Sequence, residues 1–99
     1  MSAVDFKGVA RLLAAAATAM ERNPRLNPDQ ALRLVVWGDA RAQYPGAGEP
    51  GADLYDEAHT AIEAKTGWQG HGIDHIPAKE AIPAARAEAA RFHEMGGGH

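Results

Sequence analysis

Residues 6–20 read FKGVARLLAAAATAM, and this stretch indicates the fold class. Its apolar side chains recur at alternating steps of three and four residues, which places them on one face of an α-helix. The residues of this face are Phe6, Val9, Leu13, Ala16 and Met20. Ser2 and Asp5 have the spacing of a capping box at the start of the helix. Asn23-Pro24 ends it, because proline disfavours the helical conformation in the residue before it.

A second helical pattern follows after a short turn. Asn27 is a good capping residue, and Pro28 is favoured at the first helical position. Residues 31–37 (ALRLVVW) are apolar nearly all round. We therefore expect this helix to be the most buried one of the fold and to continue to Tyr44, before Pro45 stops it.

The second half of the chain predicts two more helices. Residues 45–52 contain two prolines and three glycines and form a loop that could serve as a hinge. Asp53 is the expected cap of the third helix, and Gly67 is its expected left-handed terminator. Trp68 is expected to fold back onto the apolar stripe of that helix.

The last helix is expected after Pro77. Pro83 lacks a backbone N–H, so a short turn over 77–82 should precede a helix from 83 to about 95. Its expected inner face consists of Ile82, Ala85, Ala89 and Phe92. The prediction is an all-α, compact bundle of about four helices, with the last helix broken near Pro83. Residues 1–95 form the single domain and residues 96–99 a flexible glycine tail.

Composition limits the size of the core. The chain has 99 residues, of which 22 are alanine, whereas Leu, Ile, Val and Phe together number 16. Alanine favours helices that approach closely, but it buries little apolar area. We therefore expect a marginally stable domain that self-association stabilises further. The absence of cysteine excludes disulfides, thiolate catalysis and cysteine-ligated zinc.

The charge and hydropathy of the sequence allow predictions about cellular localisation and about the class of partner. No apolar run approaches the ~18 residues that a membrane span requires, and the N-terminal residues lack the pattern of a signal peptide. A cytoplasmic protein is the expectation. The pI near 5.9 and the lack of a basic cluster make nucleic acid an unlikely partner. Residues 1–44 carry a net charge of +2 and residues 45–99 a net charge of −5, an asymmetry that marks either a partner surface or two ordinary solvated faces.

Two groups of residues suggest a metal site. Asp56, His59 and Glu63 lie at i, i+3 and i+7 on the third helix and so project from one side. Di-metal sites in helical bundles use a carboxylate three residues before a histidine, but they need this motif twice, and this chain has it once. The alternative interpretation is the solvated face of an amphipathic helix.

The second group is a histidine pair in a glycine-rich segment. His71, Asp74 and His75 supply the ligand count of a two-histidine, one-carboxylate site for a divalent metal such as zinc, iron or manganese. The alternative interpretation is a surface turn. If the segment folds back, His71 or His75 could meet His59 or Glu63.

The leading functional prediction is a small protein–protein interaction or oligomerisation module without catalysis and without a cofactor. Its partner is a second copy or another protein. Leu34, Trp37 and Tyr44 are the expected contact residues, because the second helix has more apolar surface than a small bundle can cover and aromatic side chains are typical anchors. The alternative prediction is a metal-binding protein or small metalloenzyme that uses the two groups above. No nucleophile elbow or phosphate-binding loop supports another enzyme class.

Overall fold

Helix α1 (Phe6–Arg22) begins at a side-chain cap. The computed structural model describes residues 4–68 and 72–97, so the predicted role of Ser2 lies outside the described residues. The Asp5 carboxylate accepts a hydrogen bond from the Gly8 backbone amide at 2.9 Å. A methyl group on Gly8 would overlap this carboxylate, so glycine leaves room for the cap at the cost of a lower helix propensity.

The apolar face predicted for α1 is the face that enters the core. Its large side chains are fully shielded from solvent, and Phe6 is half-buried at the edge. The completely buried members are Val9, Leu13, Ala16 and Met20. Every helix contacts the other three, but the contacts of α1 are the most extensive, above all with α4, so the bundle is organised around α1.

Helix α2 (Pro28–Trp37) starts as predicted and ends earlier than predicted. The Asn27 side chain accepts from the Gln30 amide at 2.8 Å, and Gln30 reciprocates to the Asn27 amide at 3.1 Å. The prediction that the helix continues to Tyr44 is wrong, because Gly38 adopts a left-handed φ of 77° and terminates it.

The prediction that α2 is the most buried helix is also wrong. Pro28, Ala31 and Leu32 are its buried residues. Leu34 and Val35, by contrast, are 37% and 39% exposed. A short helix at the side of a four-helix bundle has neighbours on one side only, so an apolar outer face remains in contact with water.

Helix α3 (Ala52–Thr66) follows the glycine-rich segment. Gly51 at φ 86° precedes its first turn, so Asp53 lies within that turn and is not the cap, contrary to the prediction. The carboxylate still lies at the positive end of the helix dipole. Gly67 closes the helix with a left-handed φ of 79°, as predicted, and Trp68 packs against the core.

Helix α4 (Ala78–Gly97) follows a short 3-10 helix (Ile73–His75) and runs through Pro83 without interruption. The predicted break at this proline is therefore absent. Pro83 and Lys79 are both exposed. The Lys79 carbonyl, which loses its intrahelical donor, thus lies on the side where water can replace that donor.

The inner face of α4 is turned slightly from the predicted one. Ala85 and Phe92 are buried as expected, whereas Ile82 and Ala89 are half-buried. Ala81 and Glu88 are buried in their place.

The end of α4 extends beyond the predicted domain boundary at residue 95. Gly96 lies against the start of α1, where an added methyl group would come within 2.9 Å of Phe6 Cβ and 3.0 Å of the Lys7 backbone nitrogen. Gly96 thus permits a close approach of α4 to α1. The flexible glycine tail stays a prediction, because residues 98–99 lie outside the described residues.

The described residues contain four α-helices and no strand, which confirms the all-α bundle. Isoleucines from the later elements, Ile62, Ile73 and Ile76, complete the core. Within residues 4–68 and 72–97, no helix combines the length and the apolar character needed to cross a membrane.

Candidate functional site

Three aromatic residues join α2, α3 and the segment between them. The ring centroids of Trp37 and Tyr55 are 5.4 Å apart, those of Tyr44 and Tyr55 are 5.7 Å apart, and those of Trp37 and Tyr44 are 6.2 Å apart in an edge-on arrangement. We refer to Trp37, Tyr44 and Tyr55 as the aromatic cluster. Such tilted pairs stabilise beyond the area that they bury.

Two members of the aromatic cluster were predicted partner contacts, and both make internal hydrogen bonds. Trp37 Nε1 donates to the Pro50 carbonyl at 3.0 Å, and the Tyr44 hydroxyl donates to Asp56 Oδ2 at 2.8 Å. These bonds fasten the segment 38–51 to both helices. Trp37 is half-buried and Tyr44 is exposed, so contact of these rings with a partner stays a prediction.

A polar network lies beneath the aromatic cluster. The Tyr55 hydroxyl donates to Asp29 Oδ1 and accepts from Arg33 Nη2 at 3.2 Å. Arg33 Nε donates to Asp29 Oδ2 at 3.0 Å, and Arg33 Nη1 donates to the Ala42 carbonyl. The network therefore ties the first turns of α2 to α3 and to the segment that follows Trp37.

The environment of Tyr55 holds its hydroxyl in the protonated form. Burial raises the pKa of Tyr55, the hydrogen bond to Asp29 raises it further, and the Arg33 guanidinium partly offsets both. Tyr55 is 6% exposed and lines none of the hollows described below. The network thus stabilises the packing of α2 against α3, which is a structural role.

The side chains of the first predicted metal group, Asp56, His59 and Glu63, contact different neighbours. His59 Nδ1 lies 3.3 Å from Glu63 Oε1, and the His59 ring packs 5.7 Å from the Tyr55 ring. Asp56 accepts the hydrogen bond from Tyr44 instead. The structure therefore brings together two of these three predicted ligands.

The second predicted metal group falls partly outside the described residues, because His71 lies there. Asp74 Oδ2 and His75 Nε2 are 3.8 Å apart and exposed. Among residues 4–68 and 72–97, no three potential ligands converge on a point that could hold a metal ion. A divalent metal at either group stays a prediction, which a titration with zinc, iron(II) and manganese tests through the melting temperature.

Leu34 and Val35 stand between two hollows on the surface shared by α1 and α2. The larger hollow, of about 780 Å³, borders Leu34, and the smaller, of about 370 Å³, borders Val35. Ala15 lines both hollows, so they are neighbours on one surface, which we call the α1–α2 groove. The other lining residues from α1 and its N-terminal cap are Asp5, Gly8, Arg11, Leu12, Thr18, Ala19 and Arg22.

Sequence reasoning found Leu34 but not the rest of the α1–α2 groove. Val35 belongs to the helix that was expected to be the most buried one, and no role was predicted for Ala15 or Ala19. The signal that could have found them is the width of the apolar surface on residues 31–37, which exceeds what one neighbouring helix covers.

A third hollow has acidic walls. It measures about 610 Å³, lies where the start of α1 meets the start of α3, and includes Val4, Pro50 and Leu54. Five carboxylates border it: Asp5, Glu49, Asp53, Asp56 and Glu57. The negative charge of the second half of the chain is thus partly concentrated on one side of the molecule.

One charged side chain is buried among the described residues. Glu88 is 5% exposed and accepts two hydrogen bonds from Arg91, at 2.8 and 3.0 Å. The Arg91 guanidinium also lies 4.8 Å from the Phe92 ring centroid. This pairing satisfies the buried carboxylate, so the pair has a structural explanation.

Comparison with known proteins does not extend this description: no protein-family model, curated protein or solved structure matches the chain.

Proposed function

We propose that this protein is a non-catalytic interaction module that binds a protein partner through the α1–α2 groove. The observation that carries the proposal is the exposure of two adjacent aliphatic side chains, Leu34 and Val35, between two hollows. Scattered exposed hydrophobic residues are ordinary on protein surfaces. Leu34 and Val35 are adjacent and have a hollow on either side. They therefore form a protrusion between two cavities, a shape that a partner protein can complement.

Burial of these side chains provides a modest driving force. Full burial of a leucine or valine contributes about 1.5–3 kcal/mol, and more than a third of each residue remains to be covered. Leu34 and Val35 thus contribute about 0.5–1 kcal/mol each. Apolar side chains that fill the two hollows add a comparable amount, which favours a reversible complex.

The partner is either a second copy or another protein. Self-association through a two-fold axis requires one patch that carries both protrusions and matching cavities, and the α1–α2 groove carries both. Light scattering after size exclusion, at several protein concentrations, gives the oligomeric state directly.

The test of the proposed function combines light scattering with peptide binding. Helical peptides with one leucine face and either acidic, basic or neutral flanks serve as probes, and fluorescence anisotropy reports binding. We expect self-association or binding of a peptide to be weakened by Leu34→Glu. Met95→Glu is the matched control, because Met95 is a large apolar residue of similar exposure, 42%, near the end of α4.

The proposal fails if the wild-type protein is a monomer and binds none of the peptides. It also fails if Leu34→Glu and Met95→Glu reduce association equally, since the effect would then be that of a charge anywhere on the surface.

A further inference from the structure

The surface along α1 changes the sign of its charge from one end of the helix to the other. At the start of α1, Asp5 lines both the smaller hollow of the α1–α2 groove and the third hollow with its acidic walls. At the end of α1, Arg22 is the charged residue that lines the larger hollow in the described part of the chain. Leu34 and Val35 lie between these two ends.

Two more carboxylates extend the negative charge at the start of α1. Glu49 and Asp53 are exposed and line the third hollow, and Asp53 directly precedes Leu54, which the third hollow shares with the smaller one. We call Asp5, Glu49 and Asp53 the acidic end of the α1–α2 groove and Arg22 its basic end.

The two ends lie at similar distances from the place where the hollows meet. Asp5 and Arg22 are 17 residues apart, which corresponds to about 26 Å along the helix. The midpoint of this distance lies less than two residues from Ala15, which lines both hollows of the groove. The charges are therefore arranged nearly evenly about Ala15, with opposite signs on opposite sides.

We propose that the partner of the α1–α2 groove is a second copy of this chain, bound through a two-fold axis near Ala15. This inference rests on the proposed function. A two-fold rotation reverses the direction of the groove, so the acidic end of each copy faces the basic end of the other. Leu34 and Val35 of each copy then meet the hollows of the other copy near the axis.

The order of charges along the groove favours a second copy over a partner of uniform charge. A purely acidic partner would be repelled at the acidic end, and a purely basic partner would be repelled by Arg22. Arg11 does not alter this choice, because it lines the same hollow as Asp5. The matching partner is acidic at one end, basic at the other and apolar between them, and the groove itself has this pattern.

Exchange of charges tests the proposed arrangement. Arg22→Glu makes the basic end acidic, whereas Glu49→Arg/Asp53→Arg reverses two charges of the acidic end and leaves the Asp5 cap intact. A dimer of either variant alone would bring like charges together at both ends. A mixture of the two variants restores opposite charges at both ends.

Light scattering after size exclusion, at several protein concentrations and at low and high salt, measures the association. Lys79→Glu is the matched control for Arg22→Glu. It makes the same change in net charge at an exposed position that lines none of the three hollows. Circular dichroism verifies that every variant remains helical.

We expect the wild-type protein to reach twice its chain mass of 10.5 kDa at high concentration, and salt to weaken this dimer by screening its charge pairs. Each charge variant alone should raise the dissociation constant by about tenfold, because the altered contact occurs twice in a two-fold dimer. The equimolar mixture should associate as tightly as the wild type. Lys79→Glu should leave the dissociation constant unchanged.

Each opposite outcome has a distinct meaning. A wild-type monomer that binds the leucine-faced peptides, with binding lost on Leu34→Glu, overturns the second copy as partner but leaves the proposed function in place. A dimer that Leu34→Glu abolishes, but whose charge variants do not associate when mixed, overturns the two-fold charge pairing alone. Growth beyond the dimer also overturns the two-fold axis, since a head-to-tail contact does not close. A wild-type monomer that binds no peptide refutes both proposals.

Discussion

Replacement of Tyr55 by phenylalanine tests the polar network between α2 and α3. The variant Tyr55→Phe retains the ring and its packing against Trp37 and Tyr44, and it removes the hydroxyl. Asp29 then loses a donor, and Arg33 loses an acceptor. The two charged groups keep their own ion pair at 3.0 Å.

The expected cost follows from the character of these bonds. A hydrogen bond to a charged group contributes about 1.5–3 kcal/mol, and Tyr55 makes two of them. Asp29 and Arg33 are partly exposed, so water compensates for some of the loss. We expect a destabilisation of about 2 kcal/mol, which corresponds to a decrease in Tm of about 8–16 °C for a domain of this size.

Urea unfolding followed by circular dichroism measures the free energy of unfolding, thermal unfolding measures the Tm, and Tyr44→Phe is the matched control. Tyr44 donates its hydroxyl to Asp56 but is exposed, so water replaces that bond and the Tm should fall much less. Equal effects of the two variants would refute the reasoning, because the buried hydroxyl would then be energetically equivalent to the exposed one. A double-mutant cycle with Asp29→Asn separates the direct coupling from other effects.

Three further predictions concern pH and helix α4. Folding stability should fall as the pH rises through about 10, because tyrosine ionises there in the unfolded chain, whereas the raised pKa of Tyr55 keeps its proton bound in the native state. Urea unfolding at increasing alkaline pH measures this, and Tyr55→Phe should make the decline shallower. Pro83→Ala should stabilise the protein by about 1–3 kcal/mol, since it restores a hydrogen bond inside a continuous helix; a loss of stability would mean that the proline has a structural role. Gly96→Ala should lower stability by about 1 kcal/mol in thermal unfolding, although alanine is the better helix former, because its methyl group meets the backbone of α1; an increase would contradict the close approach.

Several predicted helix starts and stops were correct, and each of these rests on a local signal, whereas the Asp53 cap and the extension of α2 to Tyr44 were wrong. Asn27-Pro28, Gly67 and the apolar spacing of α1 depend on hydrogen bonds and φ values within a few residues, and these signals are readable from sequence. Pro83 shows the limit of this reasoning. A proline leaves the carbonyl four residues before it without a hydrogen-bond donor. Whether the helix continues depends on whether that carbonyl faces solvent or the core, and helix packing sets this orientation.

The candidate site depended still more on tertiary structure. Leu34 stood out from sequence because α2 is too apolar to be fully covered. The groove beside it combines exposed, half-buried and buried α1 residues, and alanine spacing does not reveal which alanines enter the core. The pairing of Asp56 with Tyr44, rather than with His59 and Glu63, likewise follows from the path of the segment 38–51.

The sequence by itself determined an all-helical domain, the caps of α2 and the core face of α1, because helical periodicity and capping are local properties of the chain. The tertiary structure alone decided which apolar residues remain exposed and which carboxylates are already engaged. These properties depend on contacts between residues far apart in sequence, such as Tyr55 with Asp29 and Gly96 with Lys7. Only the packed bundle fixes such contacts.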